Sequence, residues 1–443
     1  MTAFSIFRPG QTVRARSTGS TCEIEEFLGC GAQGEVYRAR LAASAFALKW
    51  YYPQAATVKQ LEVLENLIRL GPPTSRFLWP IELMKATATP GYGYLMVLRE
   101  TRFRGLVDLM KRRIDPSSHA LATAGFELAN SFLQLHSKGL CYHDISFGNL
   151  FLDPESGEIL ICDNDNVTVD GDPKAGILGT PRFMAPEVVR GDARPSIQTD
   201  LFSLAVLLFY LFVVHHPLEG KKELSIHSFD LAAMTRLYGA EPVFIFDPYD
   251  RSNEPVPGYH DNALATWPIY PRFLRDLFTL AFTSGIADPS HGRVREGEWR
   301  AGMIRLRDSI VYCGHCGAEN FYDRESVKAA PLETGICWGC QRRYRLPFRI
   351  RIGRNVVVLN HDTRLFPHHI DEQRPYDFAL PLAVVTRHPS EPDRWGLRND
   401  SAQSWYIQLP SESSPVEVPP GKSAALVNGI RINFGPSEGE IRN

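Results

Sequence analysis

The segment YHDISFGN places an aspartate, Asp144, five residues ahead of an asparagine, Asn149, and a further aspartate, Asp163, follows the apolar stretch EILIC. A carboxylate able to take a hydroxyl proton, together with two hard oxygen donors for a divalent cation, is what phosphoryl transfer from a magnesium nucleotide demands. Upstream, GCGAQGEV carries Gly29, Gly31 and Gly34, with Val36 two residues on. Glycines let backbone amides approach phosphates with no Cβ in the way, and the valine can cover a purine. Taken alone, that glycine pattern is equally a hairpin turn. Fifteen residues after Gly34, Lys49 closes the apolar strand FALK, where an ammonium would neutralise α- and β-phosphates. Such a lysine needs an acidic partner, and the helix after it offers Glu62 and Glu65. Glu65 is the expected partner and Glu62 a solvated helix charge. Asp165 lies too far along from Asn149 to serve as the metal ligand. Glu187, in GTPRFMAPE, has Arg293 as its expected buried partner.

These side chains need a sheet and a set of helices to hold them. Residues 20–100 alternate short apolar segments with turns, which predicts an antiparallel sheet interrupted by one helix near Val58–Leu70, with Leu61, Leu64, Leu67 and Ile68 on its apolar face. The period turns helical from about 105 to 140 and again from 199 to 310, and the Pro/Tyr/Asp-rich stretch 241–271 reads as an irregular surface insert. At 443 residues the chain exceeds one ordinary core, so several domains are expected. A net charge of −2 gives no global argument for nucleic acid or membrane as partner. The most apolar run, Leu201–Val214, is too short to span a bilayer, and the N-terminal stretch lacks the apolar core of a signal peptide. A cytoplasmic location is the expectation.

Four of the eight cysteines, Cys313, Cys316, Cys337 and Cys340, form two Cys-x-x-Cys pairs with 20 residues between them. Each tight pair can put two thiolates on one metal, and two pairs complete a tetrahedral S₄ site, so a structural zinc ribbon is expected at 311–346. Four cysteines leave no open position, so the metal should not be catalytic and His315 should not be a ligand. Next, RRYRLPFRIRIGR packs six arginines into 13 residues. An alternating strand with one solvated basic face explains it better than a nucleic-acid surface.

From about 22 to 308 the chain resembles a eukaryotic-type Ser/Thr protein kinase, through GCGAQGEV, FALK, YHDISFGN, DND, GTPRFMAPE and TDLFSLAVLL in that order. The resemblance implies ATP and Mg²⁺ as cofactors, Asp144 as catalytic base, Asn149 and Asp163 as Mg²⁺ ligands, and Lys49 on the ATP phosphates, paired with Glu65. It also implies Val36, Ala47, Leu98 and Glu100 around the nucleotide, with Leu98–Thr101 as the hinge, and Asp200 bracing the catalytic loop. Thr180 resembles the residue that bridges to the catalytic aspartate. Three departures stand out. Asn164 replaces an apolar plug, Ser146 a lysine, and His143 the arginine that clamps a phosphorylated loop; Thr168 and Thr180 remain as hydroxyls there. One lost preorganised charge costs about 2–4 kcal/mol of barrier, which slows an enzyme rather than abolishing it.

The last hundred residues resemble a forkhead-associated (FHA-like) phosphopeptide-binding sandwich, with Arg354 and His368 or His369 where that family has its Arg and His, and LFPHH standing in place of its phosphate-contacting serine. A sandwich that only docks onto a partner is the alternative. The combination resembles bacterial kinases encoded beside a von Willebrand A-type protein and a metal-dependent phosphatase in tellurite-resistance-associated systems, which implies that such a protein is the substrate. The expected architecture is multidomain α+β: a two-lobed kinase (N-lobe 1–98, C-lobe 99–310), a Cys₄ zinc ribbon (311–346) and an all-β, FHA-like sandwich (347–443). Two other functions fit the same residues, a pseudokinase scaffold and a small-molecule phosphotransferase.

Overall fold

The computed structural model describes residues 5–171, 179–329, 335–410 and 414–443. The chain forms two compact units: residues 1–266 with 276–301, and residues 267–275 with 302–443.

In the first unit six antiparallel strands close into a barrel in the order β1-β2-β3-β4-β6-β5: β1 (Thr12–Ala15), β2 (Thr21–Cys30), β3 (Gly34–Leu41), β4 (Ser44–Tyr51), β5 (Glu82–Lys85) and β6 (Gly93–Val97). Closure depends on β1, which pairs with both β2 and β5 and turns Val13 and Ala15 inward. Its sequence was legible only as a stretch with no apolar core. The β2–β3 turn is the glycine segment, closed by the Gly31 amide donating to the Gly34 carbonyl at 2.9 Å.

Helix α1 (Val58–Leu70) starts where Thr57 accepts from the Gln60 amide and stops at Gly71, whose φ of 66° lies in the left-handed region. It buries Leu64 and Leu67 against the barrel. Helix α2 (Ser118–Ser137) and helix α3 (Ile197–Val213) form the core of the helical part. α3 is buried all round from Thr199 onward, so its apolar run is a domain core. Among the described residues, no helix is long and apolar enough to cross a membrane. The stretch expected as a surface insert is anchored. Phe244 and Ile245 are buried, and Asn253, fully buried, donates to the carbonyls of Leu218 and Val243.

A short antiparallel hairpin positions the metal-type donors. Leu150 pairs with Ile161, and the Cys162 amide donates to the Asn149 carbonyl at 2.8 Å. Asn149 and Asp163 thus sit side by side at its open end, although fourteen residues apart in sequence.

The second unit holds a hairpin, Ile310–Tyr312 with Glu319–Phe321, that carries the first cysteine pair. Beyond it are a six-stranded and a four-stranded antiparallel sheet. Residues from both sheets, among them Ile350, Ile441 and Trp405 from one and Ala383, Leu397 and Ala424 from the other, share one buried core. In Arg349–Ile352 the isoleucines are buried while Arg351 faces solvent, the alternation expected of a strand with a basic outer face.

Candidate active site

The catalytic-type loop is tied down before any ligand is considered. Asp200, at the start of α3, accepts the Tyr142 amide at 2.6 Å and the His143 amide at 3.4 Å. Tyr142 donates its hydroxyl to the Cys162 carbonyl, joining the loop to the segment that leads into Asp163. Asn149 donates from Nδ2 to the Asp144 carbonyl at 2.7 Å. Thr180 Oγ1 donates to Asp144 Oδ1 at 3.2 Å. Burial raises the Asp144 carboxyl above its ordinary value; the Thr180 hydrogen bond opposes this, and the Asp163 and Asp165 charges add to it. A carboxylate shifted in that direction is a stronger base than a free aspartate.

Lys49 is buried and its Nζ meets three groups: Asp165 Oδ2 at 2.8 Å, Asp163 Oδ1 at 3.1 Å and Gln33 Oε1 at 3.2 Å. Burial alone would lower the ammonium, but the charges of Asp165 and Asp163 carry it above its ordinary value. The expected Lys49–Glu65 pair is not formed. Glu65 is exposed and pairs instead with Arg16. The reason is helix rotation: Gln60, Leu64 and Leu67, at spacings of four and three, make the inward face of α1, and Glu62 and Glu65 point to solvent. The inward residue that reaches the site is Gln60, which donates to the Asp165 carbonyl at 2.9 Å and to Tyr51 Oη at 3.3 Å.

Val36, Ala47 and Leu98 belong to one apolar cluster with Met96, Leu160 and Cys162. Glu100 is exposed and takes Arg102 at 3.1 Å. The glycines contribute unequally. Gly29 and Gly31 have open space where a Cβ would stand, whereas a Cβ on Gly34 would lie 2.1 Å from the Trp50 carbonyl oxygen.

The three departures have structural accounts. Asn164 is fully buried and donates to the carbonyls of Leu78 and Ile161, both at 2.9 Å, so a polar tie replaces an apolar plug. His143, at φ 65°, puts Nε2 2.8 Å from Cys141 Sγ and 2.9 Å from Thr168 Oγ1. Ser146 is half-buried in the loop beside Asn149. Further along, Arg293 grips Glu187 with Nη2 at 2.6 and 2.8 Å from its two oxygens, as expected.

A family model described as the protein kinase domain matches residues 22–257, more than half of the chain. This chain is a member of the protein kinase family. Among its relatives are a probable serine/threonine-protein kinase CCRP1 of Zea mays, 32% identical over 119 residues, and serine/threonine-protein kinase PLK1 of Xenopus tropicalis, 34% identical over 130. These matches cover 26% and 28% of this chain but only 19% and 21% of the relatives. A probable cell cycle serine/threonine-protein kinase CDC5 homolog of Encephalitozoon cuniculi is 28% identical over 204 residues, 45% of this chain and 43% of that protein.

In the second unit of this kinase the four cysteine sulfurs lie within 4.8 Å of one another, with Cys313 to Cys340 at 3.7 Å and Cys316 to Cys337 at 3.6 Å. Zinc–thiolate bonds of about 2.3 Å in a tetrahedron put sulfurs about 3.8 Å apart, so the donor set fits that ion. Each knuckle turns back on one left-handed residue, Gly317 at φ 76° and Gln341 at φ 58°. Burial would push the Cys337 thiol up, yet the amides of Cys340 and Gly339 and the Asn320 side chain hold it below its ordinary value. That favours the thiolate that a metal needs.

In the β sandwich, Arg354, His368 and His369 line one small hollow. Arg354 is exposed, but both histidines are buried and committed. His368 Nδ1 accepts the Tyr376 amide at 2.9 Å, and His369 spans the Phe366 amide and Asp308. Burial and the neighbouring His369 push His368 down to about 4, leaving it neutral and a poor anion ligand.

Proposed function

We propose that this chain is a Mg²⁺-ATP-dependent serine/threonine protein kinase that transfers the γ-phosphate to a hydroxyl of a partner protein. The observation that carries the reading is the convergence of Asp144, Asn149, Asp163 and Lys49, with Thr180 bonded to Asp144. The donor set suits a magnesium nucleotide: Asn149 uses only its amide nitrogen and Asp163 only Oδ1, so an oxygen of each is free of hydrogen bonds among the described residues. Those two oxygens would hold the cation, and Val36, Ala47 and Leu98 the purine. Magnesium nucleotide supplies the transferable phosphoryl group and the charge that screens it. Asp144 orients the acceptor hydroxyl and takes its proton. Lys49 holds positive charge where the phosphates would lie, and Thr180 fixes the carboxylate of Asp144.

The Glu187–Arg293 tie braces GTPRFMAPE as a platform for a peptide acceptor, which favours a protein over a metabolite. The cysteine site holds structural zinc in this reading, and the sandwich docks a partner. Of Arg354, His368 and His369, Arg354 is the exposed candidate for a phosphothreonine. The resemblance to tellurite-associated triads supports a von Willebrand A-type protein as substrate and a metal-dependent phosphatase as its counterpart.

The test is purified full chain with labelled ATP and Mg²⁺, next to Asp144→Ala. Label on a protein acceptor that the variant abolishes supports the reading. No label on itself, on a generic protein or on a candidate partner overturns it in favour of a scaffold. Label confined to small molecules overturns it in favour of a metabolite phosphotransferase.

A further inference from the structure

We propose that Asp165 is the positioning residue for Lys49, doing from the loop after Asp163 what a helix-borne carboxylate was expected to do. The inference rests on the kinase reading above and assigns to it a residue outside the Asp144, Asn149, Asp163 and Lys49 set.

The geometry is specific. Asp165 and Lys49 are both almost wholly buried, and Oδ2 lies 2.8 Å from Nζ. Tyr51 donates its hydroxyl to the same Oδ2, and Gln60 holds both the Asp165 carbonyl and Tyr51 Oη. Among the described residues Asp165 therefore has Lys49 as its charged partner, within a frame that fixes Oδ2 and the backbone carbonyl. α1 offers no carboxylate on its inward face, since its inward polar residue is Gln60 and both glutamates point to solvent.

Two carboxylates two residues apart divide the work by exposure. The Asp163 side chain is 45% exposed and that of Asp165 is 0% exposed. A cation arriving at the cleft meets Asp163 and competes with Lys49 for it. Asp165 is out of reach, so Lys49 keeps one anion whether or not the cation is present. Burying an ion pair gives little net stability compared with apolar side chains of the same volume, so a pair kept at such a site points to positioning.

One consequence follows for control. The carboxylate that holds Lys49 sits on the short turn Asn164–Asn166, which is fixed to the body of the unit by Asn164. The anion that meets Lys49 then sits on the Asp163 loop, and α1 reaches the pair through Gln60.

The experiment uses the full chain and compares Asp165→Asn, Glu65→Gln and the double variant Gln60→Glu/Asp165→Asn, each checked for folding by its melting curve. Steady-state kinetics give KM for ATP and kcat separately, and calorimetry gives the affinity for Mg²⁺-ADP. The loss of a hydrogen bond to a charged group predicts a fall of about 10- to 100-fold in kcat/KM for ATP in Asp165→Asn, with Glu65→Gln at the wild-type value. Gln60→Glu puts a carboxylate on α1, close to Tyr51 and Lys49, and should recover at least about a third of the logarithmic loss. A merely structural role for Asp165 would not be rescued from the helix. Wild-type kcat/KM in a folded Asp165→Asn chain overturns the proposal, as does an equal loss in Glu65→Gln. Should Asp165→Asn fail to fold, the double variant decides: folded and active supports the proposal, and any other result overturns it. If the wild-type chain transfers no phosphate, the kinase reading fails, while the fall in Mg²⁺-ADP affinity still scores Asp165.

Discussion

His136 Nε2 lies 3.2 Å from Asp200 Oδ2, the same oxygen that accepts the Tyr142 amide of the catalytic-type loop. Its other ring nitrogen meets Glu296, so one buried histidine near the end of α2 ties together α3, the helix beginning at Glu296 and, through Asp200, the loop carrying Asp144. Burial would lower this histidine, but hydrogen bonds to Asp200 and Glu296 hold it up to about 9. An unfolded histidine titrates near about 6.5. The folded value is the higher one, so this stabilisation is fully present below about pH 6.5 and is lost as pH rises through about 9. It amounts to at most about 3 kcal/mol. Urea midpoints between pH 6 and 10 should fall for the wild type. In His136→Gln they should start lower and fall less across that window, so the difference between the two curves isolates the histidine from other groups that titrate there. Parallel curves would remove His136 from this role.

The Glu187–Arg293 pair makes a second prediction, about an asymmetry. Arg293 is 5% exposed and its Nη2 meets both oxygens of Glu187, so Arg293→Leu strands a buried carboxylate and should cost about 3–5 kcal/mol. Removing both charges, as Glu187→Met/Arg293→Leu, should cost much less than the two single losses added. The unfolding free energies of the double-mutant cycle measure this, and simple additivity would show that the two groups do not act as a pair.

How far the sequence carries depends on the range of the interaction concerned. Asp144, Asn149, Asp163 and Lys49 are legible together because each closes or opens a short apolar segment, and the fold brings those segment ends to one place. The bounds of α1 are legible because Thr57 and Gly71 are local signals. Its rotation about its own axis is not, since that depends on which residues find the barrel, and that one angle turns Glu65 to solvent. Spacing argues against Asp165 as a metal ligand and is silent on any other role. Its partner Lys49 is 116 residues away, and no local pattern announces such a pairing. β1 is not legible, because four residues with two small apolar side chains carry too little pattern to mark a barrel strand.

The glycine turn separates a folding role from a ligand role. At Gly34 a Cβ would meet only backbone, 2.1 Å from the Trp50 oxygen and 3.0 Å from the Tyr51 Cα, so Gly34→Ala must part β3 from β4 beside Lys49. Overpacking of this kind costs about 1–3 kcal/mol, so the melting temperature should fall. Gly31→Ala meets nothing within 4 Å and should leave that temperature unchanged. If phosphates lie under this turn, Gly31→Ala will instead raise KM for ATP. Equal melting temperatures for the two variants would contradict the strand-contact argument.

The cysteine cluster is the remaining test, and it does not depend on phosphoryl transfer. Sulfur separations of 3.6 and 3.7 Å match the edges of a zinc–thiolate tetrahedron and leave no open position on the metal. Protein purified without added metal should carry about one zinc per chain by elemental analysis. Among the described residues, the buried part of their cluster is Val311, Cys313, Cys337, Tyr344 and Val358, and two of these five are cysteines of the candidate metal site. Stripping the metal with a chelator under reducing conditions should therefore open this segment to limited proteolysis between 311 and 346, and zinc added back should close it again. Cys337→Ser should behave like the stripped protein even with zinc present, because the substitution removes the thiol that the surrounding amides favour as thiolate. Full protease resistance of the stripped protein would show that the knuckles fold without metal and that the four thiols are not a structural zinc site.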